Sequence, residues 1–266
     1  MKTLRELMDM QDRVAIVTGG AGRLGLAFCE CLAELGASVF VFDIAGERAM
    51  ERANDLRARF GIEADGVAVD ITSETQVETA VGLVLGRKGR LDVLVNNAAY
   101  APTDLPPDGF DVAQQSLAQW EAQTNVMLKG TFLVTRACNK VLQESRRGAV
   151  INIASIYGMV GPMPGLYDGT TMCNPAYYAA AKGGIVQLTR YFATMFAPDV
   201  RVNCIAPGGI RTDQPATFQE RYNARTPLGR MADPEDVKGA LAYLASDLSA
   251  YVTGQVLAVE GGWTAW

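Results

Sequence analysis

Tyr178 and Lys182 lie four residues apart in an amphipathic stretch read as a helix over Tyr177–Phe196, so both side chains project from one face. A tyrosine titrating near ~10 is a poor base at neutral pH. An ammonium beside it stabilises the phenolate and brings the group into a useful range. On its own this spacing also describes a solvent-facing helix pair worth a few tenths of a kcal/mol. Ser155 favours the chemical reading, because it ends the strand Ala149–Ala154 and its hydroxyl can hold a reacting carbonyl oxygen at the same edge. The chain has no histidine, which removes His-dependent triads, histidine metal sites and a histidine base. Acid–base work falls to Tyr, Lys, Asp, Glu or Cys.

A second constellation is Thr18-Gly19-Gly20-Ala21-Gly22-Arg23-Leu24-Gly25, between an apolar strand and a helix. Glycines there permit a tight turn and close approach to a pyrophosphate, and the helix N-terminus offers free N–H groups. Such a turn is a weak signal alone, but strand-before and helix-after is the context it requires. Eighteen residues beyond Gly25, Asp43 closes the second strand. Its carboxylate can accept hydrogen bonds from adenosine ribose hydroxyls and would repel a 2′-phosphate, so NAD is expected over NADP. Arg23 is a counterweight, since a basic side chain in the turn could meet a 2′-phosphate.

These groups need a scaffold, and the patterning supplies one. Strands are read at Arg13–Val17, Ser38–Asp43, Gly66–Val69, Leu91–Val95, Ala149–Ala154, Arg201–Ile205 and Gln255–Val259. Helices are read at Leu24–Leu35, Glu47–Phe60, Glu74–Leu85, about Val112 to Leu142, Tyr177–Phe196 and Pro234–Ala245. Strands this apolar, alternating with helices, predict an α/β fold: one domain with a doubly wound parallel sheet and helices on both faces. Loops at 101–111, 156–176 and 208–232 follow strands and therefore fall at the carboxyl edge, where such sheets bind ligands.

With 266 residues, about half hydrophobic, the chain can bury a large core. The net charge of −5, with acids and bases interspersed, suggests neither nucleic acid nor an anionic membrane as a partner. No signal peptide or membrane-spanning run is read, and a cytoplasmic location is expected. Five cysteines without paired CxxC motifs support neither disulfides nor a metal site. Cys173 has no evident base to make it a nucleophile.

Taken in order, the motifs resemble the short-chain dehydrogenase/reductase family over nearly the whole chain. They are TGGAGRLG (18–25), Asp43, Asp70-Ile71, NNAA (96–99), Ser155, Tyr178-Ala-Ala-Ala-Lys182, PGGIRT (207–212) and Val259-Glu260-Gly261-Gly262. The resemblance implies a Rossmann-type, seven-stranded sheet and a homotetramer or homodimer. It makes Tyr178 the acid–base and Ser155 the group orienting the substrate carbonyl, with Lys182 holding nicotinamide ribose and lowering the tyrosine pKa. Gly19, Gly22, Arg23, Leu24 and Gly25 would cradle the dinucleotide, and Asp43 and Ile44 would flank its ribose. Asp70 and Ile71 would contact adenine, and Asn97, Ala98 and Ala99 the adenosine side. Pro207, Gly208, Ile210 and Thr212 would lie at the nicotinamide.

Three features depart from that pattern. Arg23 occupies the middle glycine position, giving the TGxxGxxG spacing of longer, nucleotide-sugar-modifying relatives. Met127 stands in the register of the family's catalytic asparagine, while Asn125 lies two residues earlier, about 200° round an ideal helix. A local bulge could bring Asn125 into line, but the plain reading is that the asparagine is missing. The Ser155–Tyr178 interval is longer than the family's usual one, so the extra residues border the substrate pocket. Tyr157, Met159, Tyr167 and Asp168 are candidate contacts there, although a solvent-facing or oligomer-contact loop is the plainer alternative. Arg211, Arg221 and Arg225 could meet a substrate anion or simply be solvated.

The expected activity is hydride transfer between NAD(H) and a secondary alcohol or ketone, with a polyol, sugar acid or sugar derivative first among substrates. Hydrophobic or cyclic ketones come next, because Met159, Met163, Met172 and Trp263 could line an apolar pocket. The glycine spacing suggests a nucleotide-sugar dehydratase or epimerase, against which the short chain argues. A non-catalytic dinucleotide-binding protein is the last alternative.

Overall fold

The apolar runs form seven parallel strands in a computed structural model that describes residues 1–100 and 110–266. The elements run α1 (Leu4–Met8), β1 (Val14–Thr18), α2 (Arg23–Glu34), β2 (Ser38–Asp43), α3 (Gly46–Phe60), β3 (Ala64–Ala68), α4 (Glu74–Lys88) and β4 (Val93–Asn96). They continue with α5 (Leu117–Thr124), α6 (Thr131–Glu144), β5 (Gly148–Ile153), α7 (Ala176–Met195), β6 (Val200–Pro207), α8 (Ala216–Arg225), α9 (Lys238–Ala245) and β7 (Val256–Val259). The strand order is β3-β2-β1-β4-β5-β6-β7. Winding therefore reverses between β1 and β4, which opens a crevice at their carboxyl ends.

Every residue of β1 is buried, yet its side chains still alternate. Ala15 and Val17 pack with Phe28, Leu32, Leu56 and Leu241 on one face, while Val14 and Ile16 pack with Val77, Val84, Val134 and Phe192 on the other. Burial on both faces is what the unbroken β-branched runs encode. Beneath the crevice, Asn96 Nδ2 donates to Thr135 Oγ1 and to Asn152 Oδ1, both at 2.9 Å, and Asn152 Nδ2 donates to Thr189 Oγ1 at 2.9 Å. This buried chain fixes β4 and β5 against α6 and α7.

The structure corrects the expected helix over about Val112 to Leu142. It divides into a 3-10 turn (Val112–Gln114), α5, a π-helical segment (Asn125–Gly130) and α6. The region 208–232, read as irregular, contains α8, and the N-terminus carries the short, capped α1. Of the expected loop at 101–111, residues 101–109 lie outside the described residues.

Candidate active site and dinucleotide cleft

At the carboxyl end of β1 the chain turns through Gly19, which has φ +61°. A Cβ there would sit 2.8 Å from the Ala98 Cα, and one at Gly25 would collide with the Gly19 carbonyl. The turn thus lies directly on the β4 end, and Gly22 caps α2 with no side chain over its first-turn N–H groups. Thr18 Oγ1 accepts the Asn97 and Ala98 N–H groups at 3.0 and 3.1 Å, and Asn97 Nδ2 donates to the Thr18 and Gly19 carbonyls. The Asn97 amide nitrogen therefore braces the turn.

Asp43 leaves β2 beside this turn and accepts the Ala21 N–H at 3.1 Å and the Ala45 N–H at 3.0 Å. Those bonds aim a carboxylate into the cleft while leaving it further acceptor capacity. Asp70 Oδ1 accepts from the Thr72 N–H and hydroxyl, holding the loop after β3 against the same opening. A glycine floor, an uncapped helix N-terminus and an acidic ribose-side wall fit an adenine dinucleotide.

The other end of the opening is built from β5 and α7. Ser155 follows β5 in extended backbone, is 8% exposed, and accepts the Tyr157 N–H at 3.2 Å. A 3-10 turn (Ile156–Gly158) comes next, where a Cβ on Gly158 would lie 2.6 Å from the Lys182 carbonyl oxygen. Glycine lets this turn seat on the α7 backbone, which brings Ser155 to Tyr178.

Tyr178 lies in the first turn of α7, where the helix end favours negative charge. Burial holds its phenol above the ordinary value, and the Ser155 hydroxyl pulls the other way. Lys182 is 4% exposed, and its Nζ donates to the Ile153 carbonyl at 2.9 Å and stands 5.8 Å from the Tyr178 ring centre. Burial draws its ammonium down to about 8.

One cleft of about 780 Å³ joins the two ends. Gly19, Gly22, Arg23, Leu24 and Gly25 line it at the turn, and Asp43, Ile44, Asp70 and Ile71 at the acidic side. Asn97, Ala98 and Ala99 form its floor; Ser155, Tyr178 and Lys182 stand at the other end, with Pro207 closing β6 and Gly208 and Ile210 just beyond it. Thr212 is not brought to the wall, and its N–H is taken by Gln214 Oε1 at 2.6 Å. Arg23 reaches across to donate to the Arg211 carbonyl at 2.9 Å.

Beyond Tyr178 the walls are aromatic. Tyr157 and Tyr167 line the cleft with their hydroxyls 2.9 Å apart, and Phe218 packs on Tyr167 with ring centres 5.1 Å apart. Tyr222 stacks on Trp263 at 4.3 Å and its hydroxyl accepts the Gly209 N–H at 2.5 Å. Burial raises the phenols of Tyr157, Tyr167 and Tyr222, so all three stay neutral. Met159 and Met163 are exposed and Asp168 is off the wall, whereas Met172 lines it. Residues that sequence reasoning missed include Phe218, Tyr222 and Met231 on the substrate side and Gln123 on α5. The only advance signal for Gln123 was its place four residues before Met127.

None of the three candidate arginines faces the cleft. Arg211 pairs with Asp233 at 2.8 Å, Arg221 donates to the Asp168 carbonyl at 2.5 Å, and Arg225 lies over the Trp263 and Trp266 rings. Asn125 is exposed despite the π segment, and Met127 is fully buried against Ala154, Ala181 and Ile185. Cys31 and Cys138 are buried thiols pushed up to about 12, and Cys204 to about 11.

Proteins similar to this chain in sequence and in fold are known. The family model described as "Enoyl-(Acyl carrier protein) reductase" matches residues 20–264. The cis-4-hydroxycyclohexanecarboxylate dehydrogenase of Sinomonas cyclohexanicum is 38% identical, covering 96% of this chain and 97% of its own. The 3-oxoacyl-[acyl-carrier-protein] reductase FabG of Aquifex aeolicus is 33% identical, covering 96% and 98%. The crystal structure of a gluconate 5-dehydrogenase from Burkholderia cenocepacia, in complex with NADP and tartrate, superposes with a TM-score of 0.88 at 30% identity, covering 99% and 100%. The chain belongs to the short-chain dehydrogenase/reductase family. Membership carries the general role of an oxidoreductase acting on alcohol or keto groups with a nicotinamide dinucleotide.

Proposed function

We propose that this protein interconverts a secondary alcohol and its ketone with NAD(H), and that the substrate is an uncharged, largely apolar ring compound. The observation that carries the reaction is the placement of Ser155, Tyr178 and buried Lys182 in the same cleft as the glycine turn. When bound, the nicotinamide supplies the hydride acceptor or donor. In oxidation the Ser155 and Tyr178 oxygens hold the substrate oxygen, and Tyr178 as phenolate takes the hydroxyl proton as the carbinol hydride leaves. The Lys182 ammonium and the α7 N-terminus favour that phenolate. Lys182 is fixed in turn by the Ile153 carbonyl.

The walls favour a ring over the polyol or sugar acid that stood first from sequence. Tyr157, Tyr167, Phe218, Tyr222, Met172 and Met231 offer mostly apolar surface, and the Tyr157 and Tyr167 hydroxyls engage each other. Among the described residues, Lys182 is the only cation at the substrate end, so a carboxylate there would go unpaired. The Sinomonas relative, named for a hydroxycyclohexane acid, supports the ring more than the charge. Cyclopentanol and cyclohexanol are expected to exceed xylitol and gluconate in kcat/KM by at least about tenfold, the scale of one or two buried methylenes. A preference for gluconate would overturn the apolar reading while leaving the chemistry intact.

For the dinucleotide, the Asp43 carboxylate supports NAD(H), and among the described residues lining that end of the cleft Arg23 is the only cation to set against it. Fluorescence titration is expected to give a Kd for NADH at least about tenfold below that for NADPH, one lost charge repulsion being worth ~1–2 kcal/mol. Asp43→Ser is expected to erase that margin. Tighter NADPH binding by the unaltered protein would show that Arg23 outweighs Asp43.

A further inference from the structure

Tyr157 and Tyr167 carry one proton more than their mutual contact uses. Their hydroxyl oxygens stand 2.9 Å apart, and either can be the donor. Two phenols bring two O–H protons, and that bond needs one. Among the described residues neither oxygen has another hydrogen-bond partner. Whichever way the bond runs, one O–H is left over, and both side chains line the cleft.

The pair is held in place from both sides. Tyr157 sits in the 3-10 turn after Ser155, whose hydroxyl accepts its N–H. Tyr167 follows a second 3-10 turn (Pro164–Leu166), and its carbonyl accepts the Thr170 hydroxyl at 2.7 Å. Phe110 and Phe218 brace the Tyr167 ring, each with centres 5.1 Å away. The pair also lies within electrostatic reach of Tyr178: charge on Tyr157 raises the Tyr178 phenol, and charge on Tyr178 raises that of Tyr167. In the open cleft, water can take the spare proton. A purely apolar ring that fills the site expels the water and leaves the donor unmet, which is the costly case for a covered polar group.

We infer that the Tyr157–Tyr167 pair donates one hydrogen bond to a second, uncharged oxygen of the substrate, an ether, carbonyl or hydroxyl oxygen on the ring that bears the reacting alcohol. The substrate class thus narrows from apolar ring alcohols to ring alcohols with one further acceptor. Tyr167 is 7% exposed and the deeper of the two, Tyr157 being half-buried, so Tyr167 donates to Tyr157 and Tyr157 donates to the substrate. This inference rests on the proposed alcohol oxidation taking place in the same cleft.

Tetrahydropyran-3-ol and tetrahydropyran-4-ol differ from cyclohexanol by one ether oxygen in place of a methylene, so size is nearly constant. Apolar walls alone would favour cyclohexanol, because an unpaired ether loses its water. With NAD as acceptor, the parent is expected to oxidise at least one of the two ethers with a kcat/KM about tenfold above that of cyclohexanol, the scale of one bond to an otherwise unmet donor. In the double variant Tyr157→Phe, Tyr167→Phe that order should reverse. Tyr167→Phe alone keeps the Tyr157 O–H and should retain part of the ether preference. Cyclohexanol ahead of both ethers in the parent would overturn the inference, as would an ether preference unchanged in a folded double variant. Should the double variant not fold, the parent comparison still decides. A parent that oxidised neither the ethers, nor cyclohexanol, nor any other alcohol would mean that the proposed reaction had failed instead, so the two failures are told apart.

Discussion

Tyr178→Phe is expected to lower turnover by a factor on the order of 10³ or more while NADH binds as before. The phenyl ring keeps the contacts that Tyr178 makes with the cluster of Met127, Ala181 and Ile185, so α7 keeps its first turn. On the proposed reading, the variant loses the oxygen that exchanges a proton with substrate at the N-terminal end of α7. Ser155 can still hold the substrate oxygen, but a serine hydroxyl is too weak an acid or base to replace a phenol beside an ammonium. Initial rates, NADH fluorescence titration and a melting curve together decide the matter. Turnover within tenfold of the parent would remove Tyr178 from the chemistry, and loss of NADH binding would mean that the cleft itself had been disturbed.

The second large effect has opposite signs for activity and stability. Lys182→Met is expected to lower kcat by about 10²-fold or more, yet to raise Tm at neutral pH. Lys182 is 4% exposed, and burial draws its ammonium down to about 8. Holding that charge in the folded chain costs about 3 kcal/mol at neutral pH. Losing the bond to the Ile153 carbonyl returns about 1 kcal/mol of that, which leaves a rise of roughly 5 °C for a chain of this size.

The pH dependence follows from the direction of the shift. Below about 8 the lysine is charged in both states, and the folded chain bears the full cost. Between there and the unfolded value near ~10.4 the unfolded chain binds more protons, so stability from this group rises with pH. The Tm advantage of Lys182→Met should therefore be greatest at neutral pH and shrink as pH rises through that window. A variant less stable than the parent at neutral pH, with a gap independent of pH, would show that Lys182 is not a buried cation.

The legible parts of the sequence were those whose signal is local. Strand and helix alternation, the glycine turn into α2, Asp43 at the end of β2 and the Tyr178–Lys182 spacing all depend on neighbours within a few residues. The π segment at Asn125–Gly130 was not legible, because WEAQTNVMLKG carries neither proline nor a break in periodicity. Nor did the segment bring Asn125 inward, since Met127 fills the apolar space between Ala154 and Ala181. Helix α8 was missed because it is polar except for Phe218 and Tyr222, four residues apart, which find their partners in Tyr167 and Trp263. The substrate walls escaped notice for the same reason: they join residues 156–176 to residues 216–231, and no local pattern announces such a contact. The arginines of that region looked available because nothing in sequence shows that Asp233, the Asp168 carbonyl and two tryptophans already engage them.

The most direct test of the central claim is to follow one hydrogen. With cyclohexanol deuterated at its carbinol carbon and NAD as acceptor, the account predicts that the deuterium appears at C4 of the reduced nicotinamide, that cyclohexanone accumulates in equal amount, and that the hydroxyl proton goes to solvent. Ketone formed without label in the dinucleotide, or dinucleotide bound without turnover of any ring or acyclic alcohol, would contradict it.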